Sequence, residues 1–189
     1  MTEIQRQKKV LGMMMTAHSV LRDRFLFYSS FFEITLLISA VILNVVVFID
    51  EQYIFRMTGI DGDAQKLIAG TASIIVFAIS VVLLQVRWKE KAENHSKALD
   101  QLFELLQDCR AIANTDDGTE IAEATERFNK RYFEVFNSIV KLPDNRFNSL
   151  KMIHYRKIEL SKMIERYPRS RLLILKIRLF LTSFKEKKS

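Results

Sequence analysis

The chain has 189 residues, of which 49% are hydrophobic, and it carries a formal net charge of +7. This length allows one compact domain together with a membrane segment, and five glycines and two prolines are too few turn residues for a β-rich fold. The single cysteine, Cys109, excludes an intrachain disulfide and a multi-cysteine metal site.

An amphipathic helix is predicted over residues 1–30. Its apolar stripe recurs at spacings of three, four and seven, and we expect the helix to continue directly into the apolar segment that follows. The stripe consists of Ile4, Leu11, Met14, His18, Leu21, Phe25 and Tyr28.

Two apolar segments predict a membrane hairpin over residues 31–86, with an outer loop at 50–66. The second segment, Leu67–Val86, has 20 residues without a charge, and the first, Ile34–Ile49, has 16. A bilayer core needs about 20 apolar residues, so the first segment crosses only if Glu33 lies near the headgroups or faces protein. Both segments are apolar all round, which favours lipid over the core of a soluble protein.

A few polar side chains interrupt the hairpin. Ser73 and Ser80 fall on one helical face, and an asparagine at membrane depth, such as Asn44, needs another helix or water as its partner. The serine face has two explanations: it packs against the first segment, or it lines a lumen that several copies enclose together. In the second case the pore-lining residues are Asn44, Ser73, Ser80 and Gln85.

Residues 87–168 are predicted to form a helical bundle that continues the second segment without a break. Seams with alternating spacings of four and three run through Trp88–Ala113 and Ile121–Leu142. A turn at Asn114–Thr119 would make them an antiparallel pair, and a third helix is predicted over Asn148–Tyr167. The residues expected to hold copies of the chain together are Leu99, Leu102, Leu106, Phe128, Tyr132 and Val135.

Residues 169–189 are predicted to be a basic amphipathic helix with a charged tail. The helix over Ser170–Phe184 is too short and too charged to cross a bilayer, and only Glu186 opposes its cations. It lies on an anionic membrane surface, or it packs on the third helix or a neighbouring subunit. The residues expected at the membrane surface are Trp88, Arg169, Arg171, Lys176, Arg178 and Lys185.

The distribution of charge predicts the orientation. Residues 87–189 carry 22 Lys and Arg against 15 Asp and Glu, whereas the connection 50–66 is acidic on balance. Because basic segments stay inside, we expect a multi-pass protein of the inner membrane with both termini cytoplasmic. The N-terminus lacks the features of a secretory signal.

Motifs for catalysis are not found in the sequence: it has no glycine-rich phosphate loop, nucleophile elbow or histidine pair at metal-ligand spacing. An enzyme, a metal and a cofactor are therefore not expected. His18 and His95 fall on apolar seams, where structural histidines are common, and they would meet if the first helix packs on the helix after the hairpin. Nucleic acid is not an expected partner, because aromatic residues do not alternate with the cations of the tail.

The run Trp88-Lys-Glu-Lys-Ala92-Glu-Asn-His95, the N-terminal helix and the two-segment hairpin together resemble the SLATT family. These are two-transmembrane effectors associated with bacterial nucleotide-signalling and conflict systems. The resemblance implies an effector that assembles after an invader-triggered signal and disrupts the membrane. It also implies a partner encoded nearby, such as a nucleotide-signalling enzyme, a sensor or a reverse transcriptase.

The sequence thus predicts an all-α membrane protein with a two-helix hairpin that continues into a cytoplasmic bundle. The predicted function is an oligomeric effector of an anti-phage system that forms a pore or perturbs the inner membrane. The alternative is a non-conducting scaffold, in which the hairpin is only an anchor and the helices recruit a protein partner.

Overall fold

A computed structural model describes residues 3–49, 53, 55–56, 59–113 and 118–185. In these ranges the chain is all-helical, with no strand. Predicted features that fall on residues 114–117, on 186–189 and on part of the 50–66 connection lie outside the described residues. Within the described residues, the helices used below are α1 (Glu3–Phe48), α2 (Gly62–Val86), α3 (Trp88–Ala113), α4 (Gly118–Ser138), α5 (Asp144–Arg166) and α6 (Leu172–Lys185).

Two of the helical stretches are long and apolar enough to cross a membrane. One lies in α1, which is a single helix of 46 residues, and the other lies in α2. None of the residues in either apolar window is buried. The chain divides into two compact units, residues 1–20 with 95–189 and residues 21–94.

The first unit is a bundle made by the start of α1, most of α3, and α4 to α6. The start of α1 runs antiparallel to α3, because Cys109 Sγ lies 3.7 Å from Ile4 O and His18 lies against His95. Arg131 of α4 pairs with Asp108 of α3 at 2.8 Å. The core of this unit consists of Leu11, Ala98, Leu102, Leu105, Cys109, Ile112, Phe128 and Ile139.

The buried face of α3 includes four residues of the predicted seam and extends beyond it. Those four are Ala92, His95, Leu102 and Cys109. Ala98, Leu105 and Ile112 are buried, whereas Leu99 and Leu106, which the seam predicted, are only partly buried. A heptad seam describes contact with one neighbouring helix. The core around α3 contains residues of both α1 and α4. The buried face of α3 is therefore wider than the predicted seam and is displaced to one side of it.

The second unit contains the rest of α1, α2 and the start of α3. Helices α1 and α2 lie side by side in opposite directions, because they are in contact near both ends of α2. Near its start, Gln65 Nε2 donates to Val46 O at 3.2 Å, and just after its end the Trp88 ring stacks on Phe32. A stripe of partly buried positions follows each helix at helical spacing. The stripes are Phe32, Leu36, Ser39, Leu43, Val46 and Ile49 on α1, and Gln65, Ala69, Ala72, Val76, Ser80, Leu83 and Val86 on α2.

Helix α2 begins earlier than predicted. Asp61 is its N-cap and its carboxylate accepts from Gly62 N at 2.9 Å, so residues 62–66 of the predicted loop are helical. Asp63 in the first turn is stabilised by the positive end of the helix. The Asp61–Gly62 pair thus starts a helix within the predicted outer loop. Helix α5 likewise begins at Asp144, four residues before the predicted start.

The prediction of an unbroken helix through residue 87 was wrong. Arg87 has φ 50° and ψ 50°, which is left-handed backbone, and it ends α2 immediately before α3 begins at Trp88. This conformation is uncommon for any residue with a Cβ, and glycine is the residue that adopts it freely. The sequence has no glycine or proline at this point to indicate the interruption.

Substitutions at Arg87 test the interruption. We expect Arg87→Val to lower the stability of the purified protein by about 1–2 kcal/mol, because a β-branched side chain clashes in left-handed backbone. Arg87→Gly should leave stability unchanged or raise it slightly. Thermal unfolding in detergent measures both, and Lys91→Val, at an exposed position within helix α3, is the matched control. Equal effects of valine at 87 and 91 would contradict the left-handed conformation.

Candidate functional site

The predicted pore-lining residues lie in the second unit, on different faces of its helices. Asn44 and Gln85 are exposed and Ser73 is exposed, whereas Ser80 is partly buried on the α2 stripe that faces α1. At about 100° per residue, Gln85 lies about 120–140° around α2 from the two serines. One copy of the chain therefore presents Ser73 and Gln85 in different directions.

Polar groups in the apolar helices satisfy their donors locally. Asn44 Nδ2 donates to Ala40 O, Ser80 Oγ to Val76 O and Ser39 Oγ to Thr35 O, each at 2.8 Å. A hydroxyl bonded to the carbonyl four residues earlier needs no water or second helix. The presence of these side chains at depth is therefore compatible with an apolar surrounding, and it does not by itself require a lumen.

An aromatic and ionic cluster joins the start of the first apolar segment to Trp88. The Trp88 ring stacks on Phe32, with centroids 4.9 Å apart, and contacts Tyr28 at 5.8 Å. Beside it, Glu33 Oε1 accepts from Ser29 Oγ and pairs with Lys89 Nζ, both at 2.9 Å. Glu33 thus has a counter-charge within the chain, as a first membrane segment that begins at residue 34 requires. Amphipathic aromatic residues of this kind are typical of a membrane–water interface.

The six residues predicted for assembly all lie within the bundle of a single chain. Leu102 and Phe128 are buried in its core, with 0% and 3% of their surface exposed. Tyr132 and Val135 pack against that core, and the Tyr132 ring stacks on Phe136 at 4.3 Å. Burial raises the pKa of the Tyr132 phenol. The apolar seams therefore serve contacts inside one copy, and their role between copies remains a prediction.

The two seam histidines meet in the bundle. His18 Nδ1 and His95 Nδ1 are 2.9 Å apart, and the side chains are 0% and 4% exposed. This contact needs one Nδ1 to carry a proton and the other to accept it, so the two rings hold opposite tautomers. His18 Nε2 is buried without a hydrogen-bond partner. If His18 donates from Nδ1, its Nε2 carries a lone pair and no proton. An unpaired lone pair at Nε2 is less costly than an unpaired N–H group there.

The surroundings of the histidine pair keep it uncharged. Burial, together with repulsion from His95, lowers the pKa of His18 from 6.5 to about 4, and burial also lowers the pKa of His95. A second proton between the rings would place two N–H groups against each other and break the contact. The pair is therefore a neutral polar contact within an apolar core, and the sequence located it only as a possible meeting of two seams.

A second histidine contact in the bundle was missed by sequence reasoning. His154 Nδ1 lies 2.9 Å from Thr16 Oγ1, whose hydroxyl donates to Gly12 O at 3.0 Å. Gly12 lies under the His154 ring, where a Cβ would meet Cε1 at 3.7 Å, an ordinary contact distance. Burial and the neighbouring Lys157 lower the pKa of His154. No spacing rule links these residues, because they are more than a hundred positions apart.

The predicted membrane-surface residues of the C-terminal region lie on or beside α6. Leu175 is 2% exposed, so one face of α6 is packed, and Arg178 lies 5.0 Å from the centre of the Tyr167 ring. Arg169, Arg171 and Lys176 are exposed. The side chain of Lys185 lies outside the described residues.

Among the described residues, no group of three or more His, Cys, Asp or Glu side chains is placed to hold a metal ion. Comparison of the chain with protein-family models, curated proteins and solved structures gives no match. The functional argument therefore rests on the geometry above.

Proposed function

We propose that this protein is a homo-oligomeric membrane effector that opens a pore or perturbs the bacterial inner membrane when a signal or partner triggers it. The observation that carries the proposal is that no residue of either apolar window is buried in the folded chain. Large apolar side chains on these helices have more than half of their surface exposed. They include Leu37, Val41, Ile42, Phe48, Leu67, Ile74, Phe77 and Leu84.

Lipid is the medium that covers such helices. Apolar surface left in water is costly in proportion to its area, and large apolar patches are rare on soluble monomers. Each helix satisfies its own backbone hydrogen bonds, as a bilayer requires. In this proposal α2 and the second half of α1 form a membrane hairpin, and both termini lie on the cytoplasmic side because the basic residues are concentrated there.

The position of Asn44 supports assembly of several copies. It is exposed, about 130° around α1 from the stripe that faces α2. Its amide donates to Ala40 O, but an asparagine has two donors and an acceptor. In a single hairpin the amide would face lipid, which is unfavourable. A neighbouring copy or a water-filled lumen would satisfy it.

The layout also resembles the SLATT family, and the proposal takes the trigger from that resemblance. A nucleotide messenger, or a partner such as a sensor or reverse transcriptase, would favour a packing in which copies assemble. A ligand can shift the population only by binding one state more tightly than the other. The chain itself would contribute no catalytic step.

A non-conducting membrane scaffold is the second candidate. The local hydrogen bonds of Ser39 and Ser80 favour it, because hydroxyl groups satisfied by their own helix do not need a water-filled lumen. In this case α1 and α2 only anchor the chain, and its bundle recruits a protein partner. Replacement of residues 31–86 by an unrelated two-helix anchor would then preserve activity.

Serine substitutions in α2 test the pore. We expect Ser73→Leu combined with Ser80→Leu to abolish the release of dye or potassium from vesicles that contain the reconstituted protein, because leucine removes the hydroxyls and narrows a lumen. Thr71→Leu is the matched control, since Thr71 lies about 160° around α2 from Ser73 and bonds to Leu67 O at 2.8 Å. Crosslinking should show the same oligomers in all variants.

Two results would contradict the pore. One is the absence of leak from wild-type vesicles at every protein density and with every candidate trigger. The other is equal leak from the double leucine variant and the wild-type protein. Either result, with growth arrest retained in cells, would favour the scaffold.

A further inference from the structure

Helix α6 has two apolar faces, and only one of them is packed. Leu175 is 2% exposed and Leu179 is partly buried, and these two define the packed face, on the side of α5. Leu173, Ile177 and Phe180 follow one another at spacings of four and three on the other side. Their exposed fractions are 70%, 52% and 59%, so more than half of the surface of each side chain is accessible.

Cations accompany the exposed face. Lys176 lies about 60° around the helix from Leu173, on the edge of the apolar strip, and it is exposed. Arg169 and Arg171 are exposed in the turn that leads into α6. Between residues 169 and 185 the chain has no acidic residue. A partner protein would have to offer an apolar groove with an acidic rim, whereas an anionic bilayer offers both properties along its whole surface.

We propose that the outer face of α6, defined by Leu173, Ile177 and Phe180, lies in the headgroup region of an anionic bilayer. The helix has 14 residues and is about 21 Å long at about 1.5 Å per residue, too short to cross a core of about 30 Å. It therefore lies along the surface, with its apolar side chains in the acyl boundary and its cations among the phosphates. The long stem of Lys176 allows its ammonium to reach the headgroups.

This inference rests on the proposed membrane location of the chain, and it adds a second, peripheral attachment to that of the apolar helices. The attachment depends on lipid charge, because each cation near an anionic surface contributes about a factor of five to the binding constant. The packed face remains on the bundle, so the same helix contacts protein on one side and lipid on the other.

Site-directed spin labelling tests the placement on the full chain. The native cysteine is first replaced (Cys109→Ala), and a nitroxide is attached after Ile177→Cys, in nanodiscs of phosphatidylglycerol or of phosphatidylcholine. Ser161→Cys on α5 is the reference for an exposed polar site, and Ile74→Cys on α2 is the reference for lipid. Collision with oxygen reports lipid, and collision with a water-soluble nickel chelate reports solvent.

We expect the label at 177 to be accessible to oxygen and shielded from nickel in phosphatidylglycerol, and to become accessible to nickel in phosphatidylcholine. Arg169→Gln, Arg171→Gln and Lys176→Gln together should reduce the lipid-bound fraction in phosphatidylglycerol, with the binding constant falling about a hundredfold. A label at 177 that remains accessible to nickel in phosphatidylglycerol would overturn the inference. Spin–spin broadening between copies would also overturn it and assign the face to a second copy.

The reference at residue 74 separates this failure from failure of the proposed function. A label at 74 in lipid, with the label at 177 in solvent, rejects only the surface attachment of α6. A label at 74 that is accessible to nickel at the level of residue 161 rejects the membrane location of the whole chain.

Discussion

Leu102→Ala is expected to destabilise the bundle by about 2–5 kcal/mol, the cost of deleting a fully buried leucine side chain. Leu102 is 0% exposed and belongs to the core that includes Leu11, Leu105 and Phe128. Small domains are stable by only about 5–15 kcal/mol, so this loss should lower the unfolding temperature by many degrees. Thermal unfolding in detergent, followed by circular dichroism, measures it.

Substitutions on the same helix provide the controls. Phe103→Ala removes a larger side chain that is 47% exposed, and it should cost much less because little buried surface is lost. Leu99→Ala, at a partly buried position, should fall between the two. Equal effects at 99 and 102 would contradict the described register of α3 and support the predicted seam.

Dependence on protein concentration distinguishes folding of one chain from assembly. If Leu102 contributes only within a chain, the unfolding temperature of wild type and variant should differ by the same amount at every concentration. If it joins copies, mass action makes the difference grow on dilution. The predicted role of Leu102 between copies requires the second result.

The apolar helices were predictable from the sequence because a long segment without charges is a strong and simple pattern. A segment such as Leu67–Val86, which is apolar on every side, is compatible with few structures other than a long helix. The amphipathic stripe of α1 was equally visible, and its continuation into the first apolar segment follows from the absence of a helix-breaking residue between them. These features depend on local composition alone.

The register of α3 could not be predicted, because it depends on which helices pack around it. Leu99 and Ala98 are neighbours in the sequence, and a rule that favours large apolar residues selects the leucine. The structure buries the alanine. Which of the two positions becomes buried depends on the helices that pack against α3, and the sequence of α3 alone does not contain that information. The left-handed Arg87 escaped prediction for a similar reason, since an arginine does not indicate a helix end.

Two histidine contacts in the bundle connect distant parts of the chain. His18 with His95 and Thr16 with His154 are 77 and 138 positions apart. The His18–His95 contact could be predicted from the sequence, because both residues lie on apolar seams, where a polar side chain needs a partner. Thr16 and His154 show no such pattern, and only the packed bundle brings them together.

Acidification is expected to destabilise the bundle through the histidine pair. The pKa of His18 is about 4 in the folded chain, against 6.5 for a free histidine. Between these values the unfolded chain binds more protons than the folded chain, so stability falls as the pH falls. The contribution is complete above about pH 6.5 and is lost on approach to pH 4. At about 1.4 kcal/mol for each pH unit, the loss is about 3 kcal/mol.

The double variant His18→Leu with His95→Leu isolates this effect. Replacing both partners by apolar side chains removes the Nδ1–Nδ1 contact from both sides, so the double variant should lose less stability at pH 7.5 than a single variant. The loss of unfolding temperature between pH 7 and pH 4.5 should then be smaller than in the wild-type protein. His154, whose pKa is also lowered, remains in both proteins, and so do the carboxylates that titrate below pH 5.

The single variant His18→Leu separates charge from hydrogen bonding. It leaves His95 Nδ1 without this contact in an apolar core, so it should cost about 1–3 kcal/mol at pH 7.5, whereas the double variant should cost less. Urea unfolding at several pH values gives both quantities. Wild type and double variant that lose the same free energy between pH 7 and pH 4.5 would show that the pair is not held neutral. In that case the contact of 2.9 Å between His18 and His95 would not form in solution.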